Sequence, residues 1–152
     1  MIDKSNILVI GSDHAGFRLK EFLIKKLKDR GYKTEDLGTH SKVSVDYPDI
    51  IHPLAKAITN GKFKFGIIIC GTGNGVSMTA NKYPKIRAAL CWNKKIAKFA
   101  RLHNDANIIA LPARFISKKT ALKIVIKFLN TDFEQGRHKI RVEKISSGQV
   151  EI

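Results

Sequence analysis

The sequence predicts an α/β fold: a five-stranded parallel sheet with helices on both faces, forming a three-layer sandwich. Three observations carry this. Five short apolar runs, residues 7–11, 33–37, 65–69, 87–90 and 108–111, recur along the chain. The segments between them repeat their apolar residues with a period near 3.6, as helices do. The strongest runs are almost continuously apolar rather than alternating, the pattern of parallel strands covered on both faces and joined by right-handed crossovers.

Taken in order, the first run leads into a helix whose Leu19, Phe22, Leu23 and Leu27 share one face. Lys20, Lys25, Lys28 and Asp29 are expected to point away from it, and Gly31 stands where a C-terminal cap belongs. Near the end of the chain Ser117 precedes a second clear helix, with Ala121, Ile124, Val125, Phe128 and Leu129 as its apolar stripe. After Asp132 the chain reads as a loop and a short polar helix. No linker or repeat divides residues 1–152, so one domain is expected, with residues 133–152 a C-terminal tail reaching a neighbouring subunit. In open parallel sheets ligands bind beyond the carboxyl ends of the strands, which directs attention to residues 12–16, 38–48, 70–76, 91–93 and 112–117.

Composition excludes some classes of function. At 152 residues the chain can bury roughly two-thirds of its unfolded surface around one core. No apolar run is long enough to span a bilayer, and no basic stretch followed by an apolar one opens the chain, so a cytoplasmic protein without a membrane partner is expected. Cys70 and Cys91 are expected to be reduced thiols. The five histidines form no His-x-x-x-His or Cys-x-x-Cys spacing, which leaves a metal site without support. Net charge is +15, yet 21 of the 28 basic residues are lysines spread along the chain with few interleaved aromatics. That distribution describes a general polyelectrolyte that favours small anions, and it predicts no dedicated nucleic-acid site.

The segment with most chemical content is Cys70-Gly71-Thr72-Gly73-Asn74-Gly75-Val76, directly after the run 65–69. It is no P-loop, because Val76-Ser77 follows where Lys-Ser/Thr is needed, and no dinucleotide fingerprint, because Val76 replaces the third glycine. A strand-to-helix turn remains, in which successive backbone N–H groups can cradle an anion. Cys70 at the strand end reads either as a small buried apolar residue or as a nucleophile or base. Cys91, without such a loop, reads as structural. His103-Asn104-Asp105 and Asp13-His14 each carry a histidine that can exchange protons or simply lie on the surface.

Together with Gly11-Ser12-Asp13-His14-Ala15-Gly16, Asp46-Tyr47-Pro48, Ala80-Asn81-Lys82, Ile86-Arg87-Ala88-Ala89, His103-Asn104-Asp105-Ala106-Asn107 and Gly136-Arg137-His138 with Arg141-Val142, this loop resembles the type B ribose-5-phosphate isomerases. Their sugar-phosphate isomerase family also includes the allose-6-phosphate and galactose-6-phosphate isomerases. The resemblance runs in order over essentially the whole chain. It implies a Rossmann-like homodimer or dimer of dimers, with each active site built from both subunits. It also implies aldose–ketose isomerisation through a cis-enediolate without metal or organic cofactor. By resemblance Cys70 is the base, Thr72 and the N–H groups of Gly71, Gly73, Asn74 and Gly75 bind the enediolate oxygen, and His103 opens the furanose ring. Asp13, Tyr47 and Asn104 line the sugar site, and His14, Arg114, Arg137 and Arg141 hold the phosphate.

Two departures matter. Some relatives take their base from a glutamate after the last loop glycine, and here that position is Val76, which keeps Cys70 as the base. The family often has Leu-Gly-x-Arg where this chain has Leu111-Pro112-Ala113-Arg114, and proline removes an N–H. A five-carbon substrate, ribose 5-phosphate, is expected over allose or galactose 6-phosphate, with residues 40–47 and 91–94 setting the depth of the pocket. A sugar-phosphate-binding protein without turnover is the competing class. It would need only the arginines and the loop amides, and so gives no reason for Cys70, Thr72 and His103.

Overall fold

The computed structural model describes residues 1–147. Five parallel strands, β1 (Ile7–Ser12), β2 (Lys33–Asp36), β3 (Phe65–Cys70), β4 (Ala88–Leu90) and β5 (Ile108–Pro112), form one sheet in the order β2-β1-β3-β5-β4. Between and after them run α1 (Phe17–Lys28), α2 (Tyr47–Thr59), α3 (Asn74–Ala80), α4 (Lys94–Asn104), α5 (Lys118–Leu129) and α6 (Arg137–Ser147). All four ladders are parallel, in registers such as Ile10↔Ile67 and Ile67↔Ile109. Among the described residues no helix is long and apolar enough to cross a membrane.

The core has two halves, one on each face of the sheet. Leu19, Leu23 and Leu27 of α1, Ala97 and Ala100 of α4, and Ile124, Val125 and Phe128 of α5 pack on one face. Ile51, Leu54 and Ile58 of α2 and Val76 and Ala80 of α3 pack on the other. Each fully buried aliphatic side chain contributes roughly 1.5–3 kcal/mol of transfer free energy, so the alternation of helix faces read from the sequence is what closes the sandwich. Ser117 caps α5 as expected, its Oγ accepting from the Thr120 N–H at 3.1 Å. Gly31, at φ +81°, lies two residues beyond the C-cap of α1.

Two basic residues are buried, and one of them, Lys20, corrects the expectation that it points away from the core. Lys20 is completely buried. Its Nζ pairs with Asp36 at the end of β2 and lies 2.9 Å from Glu21 Oε1. Asp36 in turn accepts from the Gly38 N–H at 2.9 Å, so the pair anchors the start of the long loop between β2 and α2. Arg101 on α4 is likewise buried, donating to Asp105 Oδ1 at 2.7 Å and to the Ala106 carbonyl at 2.8 Å. An unpaired charge at either place would be expensive, and each pairing has an acidic partner within reach.

The chain leaves β1 toward β2 on one side and reaches β3 on the other. The topological switch point therefore falls between β1 and β3, where a crevice opens beyond their carboxyl ends. The loops after these two strands begin with Asp13 and Gly71.

Candidate functional site

A cleft of about 350 Å³ occupies that crevice. After β1 come Asp13 and His14. The Asp13 N–H donates to the Ile69 carbonyl (3.2 Å) and its Oδ1 accepts from the Gly16 N–H (3.0 Å), tying the turn to both strands. A Cβ on Gly16 would lie 2.8–2.9 Å from Ile69 and Ser12, so only glycine lets α1 start this close to the sheet. His14 Nδ1 accepts from the Val45 N–H at 3.3 Å, which leaves Nε2 to carry the proton and point a donor elsewhere. Tyr47 opens α2 and lines the same cleft.

Cys70 closes β3. It is 5% exposed yet borders the cleft, and its Sγ accepts from the Gly73 N–H at 3.1 Å. Thr72 Oγ1 receives the Asn74 N–H at 3.3 Å. The glycines have a role that spacing alone does not show. A Cβ on Gly71 would sit 3.2–3.3 Å from the Arg114 side chain, and one on Gly75 within 2.5–2.8 Å of the Tyr47 ring. Gly73, at φ +77°, makes the reversal that starts α3, where a Cβ would overlap Leu90. The loop is glycine-rich because two cleft side chains and the strand-to-helix reversal occupy the space.

Arg114 reaches the cleft despite Pro112. The proline ends β5 opposite Cys70, and the Ala113 N–H to Cys70 carbonyl (2.9 Å) and Arg114 N–H to Gly71 carbonyl (3.0 Å) bonds carry the pairing beyond it. Asp13, His14, Tyr47, Cys70, Gly71, Thr72, Gly75 and Arg114 are thus one constellation. Gly73 is buried beneath it. Asn74 faces an adjoining groove of about 410 Å³ with Thr72, Trp92 and Phe115.

His103, Asn104, Arg137 and Arg141 are not among the residues lining this cleft. α4 begins after β4 at the carboxyl edge and runs back, so His103 and Asn104 at its end lie at the opposite edge of the sheet. There the Asn104 and Asp105 carbonyls accept from Arg87 Nε, just ahead of β4, at 3.0 and 2.9 Å. Arg137 and Arg141 lie on α6, which packs against α4. A larger cavity of about 600 Å³, with Asn104, Tyr83, Arg87 and Ile145 among its walls, opens on this edge, and neither cysteine nor histidine lines it.

Two residues that spacing could not place gather around His103. Its ring stacks on His138 with centroids 4.2 Å apart and planes 9° apart, and Glu134 Oε2 stands 3.6 Å from His103 Nε2 and 3.5 Å from His138 Nε2. These three side chains form a compact group, all ligand atoms within 4.8 Å. Near-parallel rings aim their nitrogen lone pairs side by side rather than at a common point, which fits one metal ion poorly. Burial, then His103 and Arg137, push the His138 imidazole below its ordinary value, while Glu134 pulls the other way. Cys91 behaves as expected of a structural thiol: it is wholly buried, and burial pushes it up to about 12.

Comparison with known proteins points the same way. A family described as ribose/galactose isomerase matches residues 8–145. Ribose-5-phosphate isomerase B of Escherichia coli K12 is 40% identical over 140 residues, 92% of this chain and 94% of that one. A crystal structure of a ribose 5-phosphate isomerase from Thermotoga maritima superposes with a TM-score of 0.90 at 47% identity, covering 93% of this chain and 97% of the other. The ribose-5-phosphate isomerase B of Mycoplasma genitalium, solved with bound ribulose-5-phosphate, gives a TM-score of 0.89 at 39% identity over 96% of this chain and 97% of that one.

Proposed function

The chain belongs to the ribose/galactose isomerase family, and from that premise we propose that it interconverts D-ribose 5-phosphate and D-ribulose 5-phosphate through a cis-enediolate, as a step of the non-oxidative pentose phosphate pathway. The observation that carries the reading is the constellation of Cys70, the glycine loop, His14 and Arg114 in one cleft at the switch point. In the opened aldose, Cys70 Sγ removes the proton on C2, and the electron pair forms the C1–C2 double bond of the enediolate. The same proton, or one from solvent, is delivered to C1, while a hydroxyl proton passes from O2 to O1.

The developing oxyanion needs donors set in place beforehand. The Gly73 N–H is already turned to Cys70 Sγ and the Asn74 N–H to Thr72. The oxyanion therefore falls to the N–H groups of Gly71, Thr72 and Gly75 and to the Thr72 hydroxyl. Asp13 and Tyr47 flank the sugar. The phosphate takes His14 Nε2 and the forked donors of Arg114, whose geometry suits a dianion.

Ring opening requires an acid at the ring oxygen, and this chain's own cleft offers no second histidine in that role. His103, Asn104, Arg137 and Arg141 complete the site from a second copy of the chain, whose tail, residues 133–152, crosses the interface of a homodimer. Residues 148–152 of that tail lie outside the described residues. A cytoplasmic setting is consistent with a phosphorylated sugar as substrate.

Mixing tests site sharing and substrate together. Wild-type protein is expected to turn over ribose 5-phosphate faster than allose 6-phosphate or galactose 6-phosphate. Cys70→Ala and His103→Ala should each be strongly impaired alone. After unfolding and refolding an equal mixture, random pairing of two-fold dimers restores about a quarter of the wild-type activity, because half the dimers carry one intact site. No gain on mixing would place both residues in one chain's site, and faster turnover of a six-carbon phosphate would change the substrate.

A further inference from the structure

Resting on the reading of His103 as the ring-opening acid, we propose that Glu134 and His138 are positioning residues: Glu134 supplies the counter-charge and His138 the stacking surface that hold the His103 imidazole ready to give up its proton. A bond between α4 and the segment after α5 places them, the Glu134 N–H donating to the Leu102 carbonyl at 2.9 Å. Gln135 and Gly136, at φ +63° and +52°, then turn the chain back so that α6 begins against α4. His138 reaches the His103 ring from this turn, and Phe99, one turn earlier on α4, contacts the same ring with centroids 4.8 Å apart. Two aromatic contacts from different elements restrict the tilt of the imidazole.

The charges are arranged to suit an acid. A proton donor must hold its proton until the ring oxygen is in place, and a carboxylate nearby favours the imidazolium. Glu134 is the acidic group facing His103, with His138, Arg137 and Arg141 the other titratable or charged groups of the cluster. Among the described residues His138 Nε2 is buried without a hydrogen-bond partner, with Glu134 Oε2 3.5 Å away. Burial holds the His138 imidazole below its ordinary value, so of the stacked pair it is the ring less suited to carry a positive charge.

Glu134→Gln keeps the shape of the side chain and removes its charge. On ribose 5-phosphate, which is mostly cyclic, kcat should fall roughly 10- to 100-fold, less than the 10²–10⁴ that a general acid itself contributes. Exchange of solvent deuterium into ribulose 5-phosphate, which has no ring to open, should stay within about twofold of wild type on the same reasoning. Glu134→Asp, which retains the charge, should recover most of the lost kcat on ribose 5-phosphate, and circular dichroism should show every variant folded.

His103→Ala, run in parallel, separates the two readings. If it loses turnover on ribose 5-phosphate while Glu134→Gln leaves kcat unchanged, the positioning role is overturned and the acid stands. If His103→Ala itself leaves turnover intact, the acid assignment falls first. Equal losses for Glu134→Gln on the cyclic and acyclic sugars would also overturn the proposal, by reducing Glu134 to a general structural residue.

Discussion

Replacing Cys70 by alanine should lower conversion of ribose 5-phosphate by about 10²–10⁴-fold, the range over which a positioned base contributes, and leave the fold unchanged. The structure gives the reason for both halves. Sγ borders the cleft at the end of β3 and receives one N–H bond, from Gly73, so in the proposed mechanism its removal would delete the base and free one donor. The proposed phosphate recognition by His14 and Arg114 would not pass through the sulfur, so KM and inhibition by inorganic phosphate should change little. Cys91→Ala serves as the comparison: its thiol is wholly buried, far outside its titration range at neutral pH, and has no place in the chemistry. Steady-state kinetics on both variants distinguish them. Wild-type kcat in Cys70→Ala would transfer the base role to another group.

Gly73→Ala should be the most damaging single methyl in the loop. At φ +77° an L-residue costs about 1–2 kcal/mol. The added Cβ would also overlap Leu90 and lie 3.2 Å from the Leu111 carbonyl carbon and the Pro112 nitrogen, and backbone cannot step aside as a side chain can. Adding a typical overpacking cost gives a loss of about 2–5 kcal/mol, which lowers the melting temperature by roughly 5–15 °C in a chain of this length. Gly61 provides an internal control. Its φ is +80° but nothing lies within 4 Å of its Cβ position, so Gly61→Ala isolates the conformational cost. Thermal melts of the two variants should differ by the packing contribution. Equal shifts would mean that Leu90 and β5 relax at no cost.

The strands and the apolar faces of α1 and α5 were legible because burial leaves a period in the sequence. Strand ends were nearly so: β3 and β5 each run one residue beyond their apolar cores, through Cys70 and Pro112, which brings both into register beside the cleft. Lys20 was misread for an instructive reason. Its spacing of three from Leu23 and seven from Leu27 puts it on the buried face, and only its charge argued otherwise; Asp36, the residue that resolves the conflict, is sixteen positions away. Long-range pairing is likewise why Glu134 and His138 could not be assigned to His103, since 31 and 35 residues separate them in sequence and the turn at Gln135 and Gly136 brings them together. The reason for Gly71 and Gly75 was hidden too. A glycine reports that space is needed, but only the fold names Arg114 and Tyr47 as the groups that fill it.

Proton transfer by Cys70 within an enediolate mechanism is tested most directly by isotope incorporation. Wild-type protein should convert ribose 5-phosphate in D₂O, with chelator present, to ribulose 5-phosphate of which part carries solvent deuterium at C1, and Cys70→Ala should lower product and label together by about 10²–10⁴-fold. Unlabelled ribulose 5-phosphate from both proteins at similar rates would contradict it.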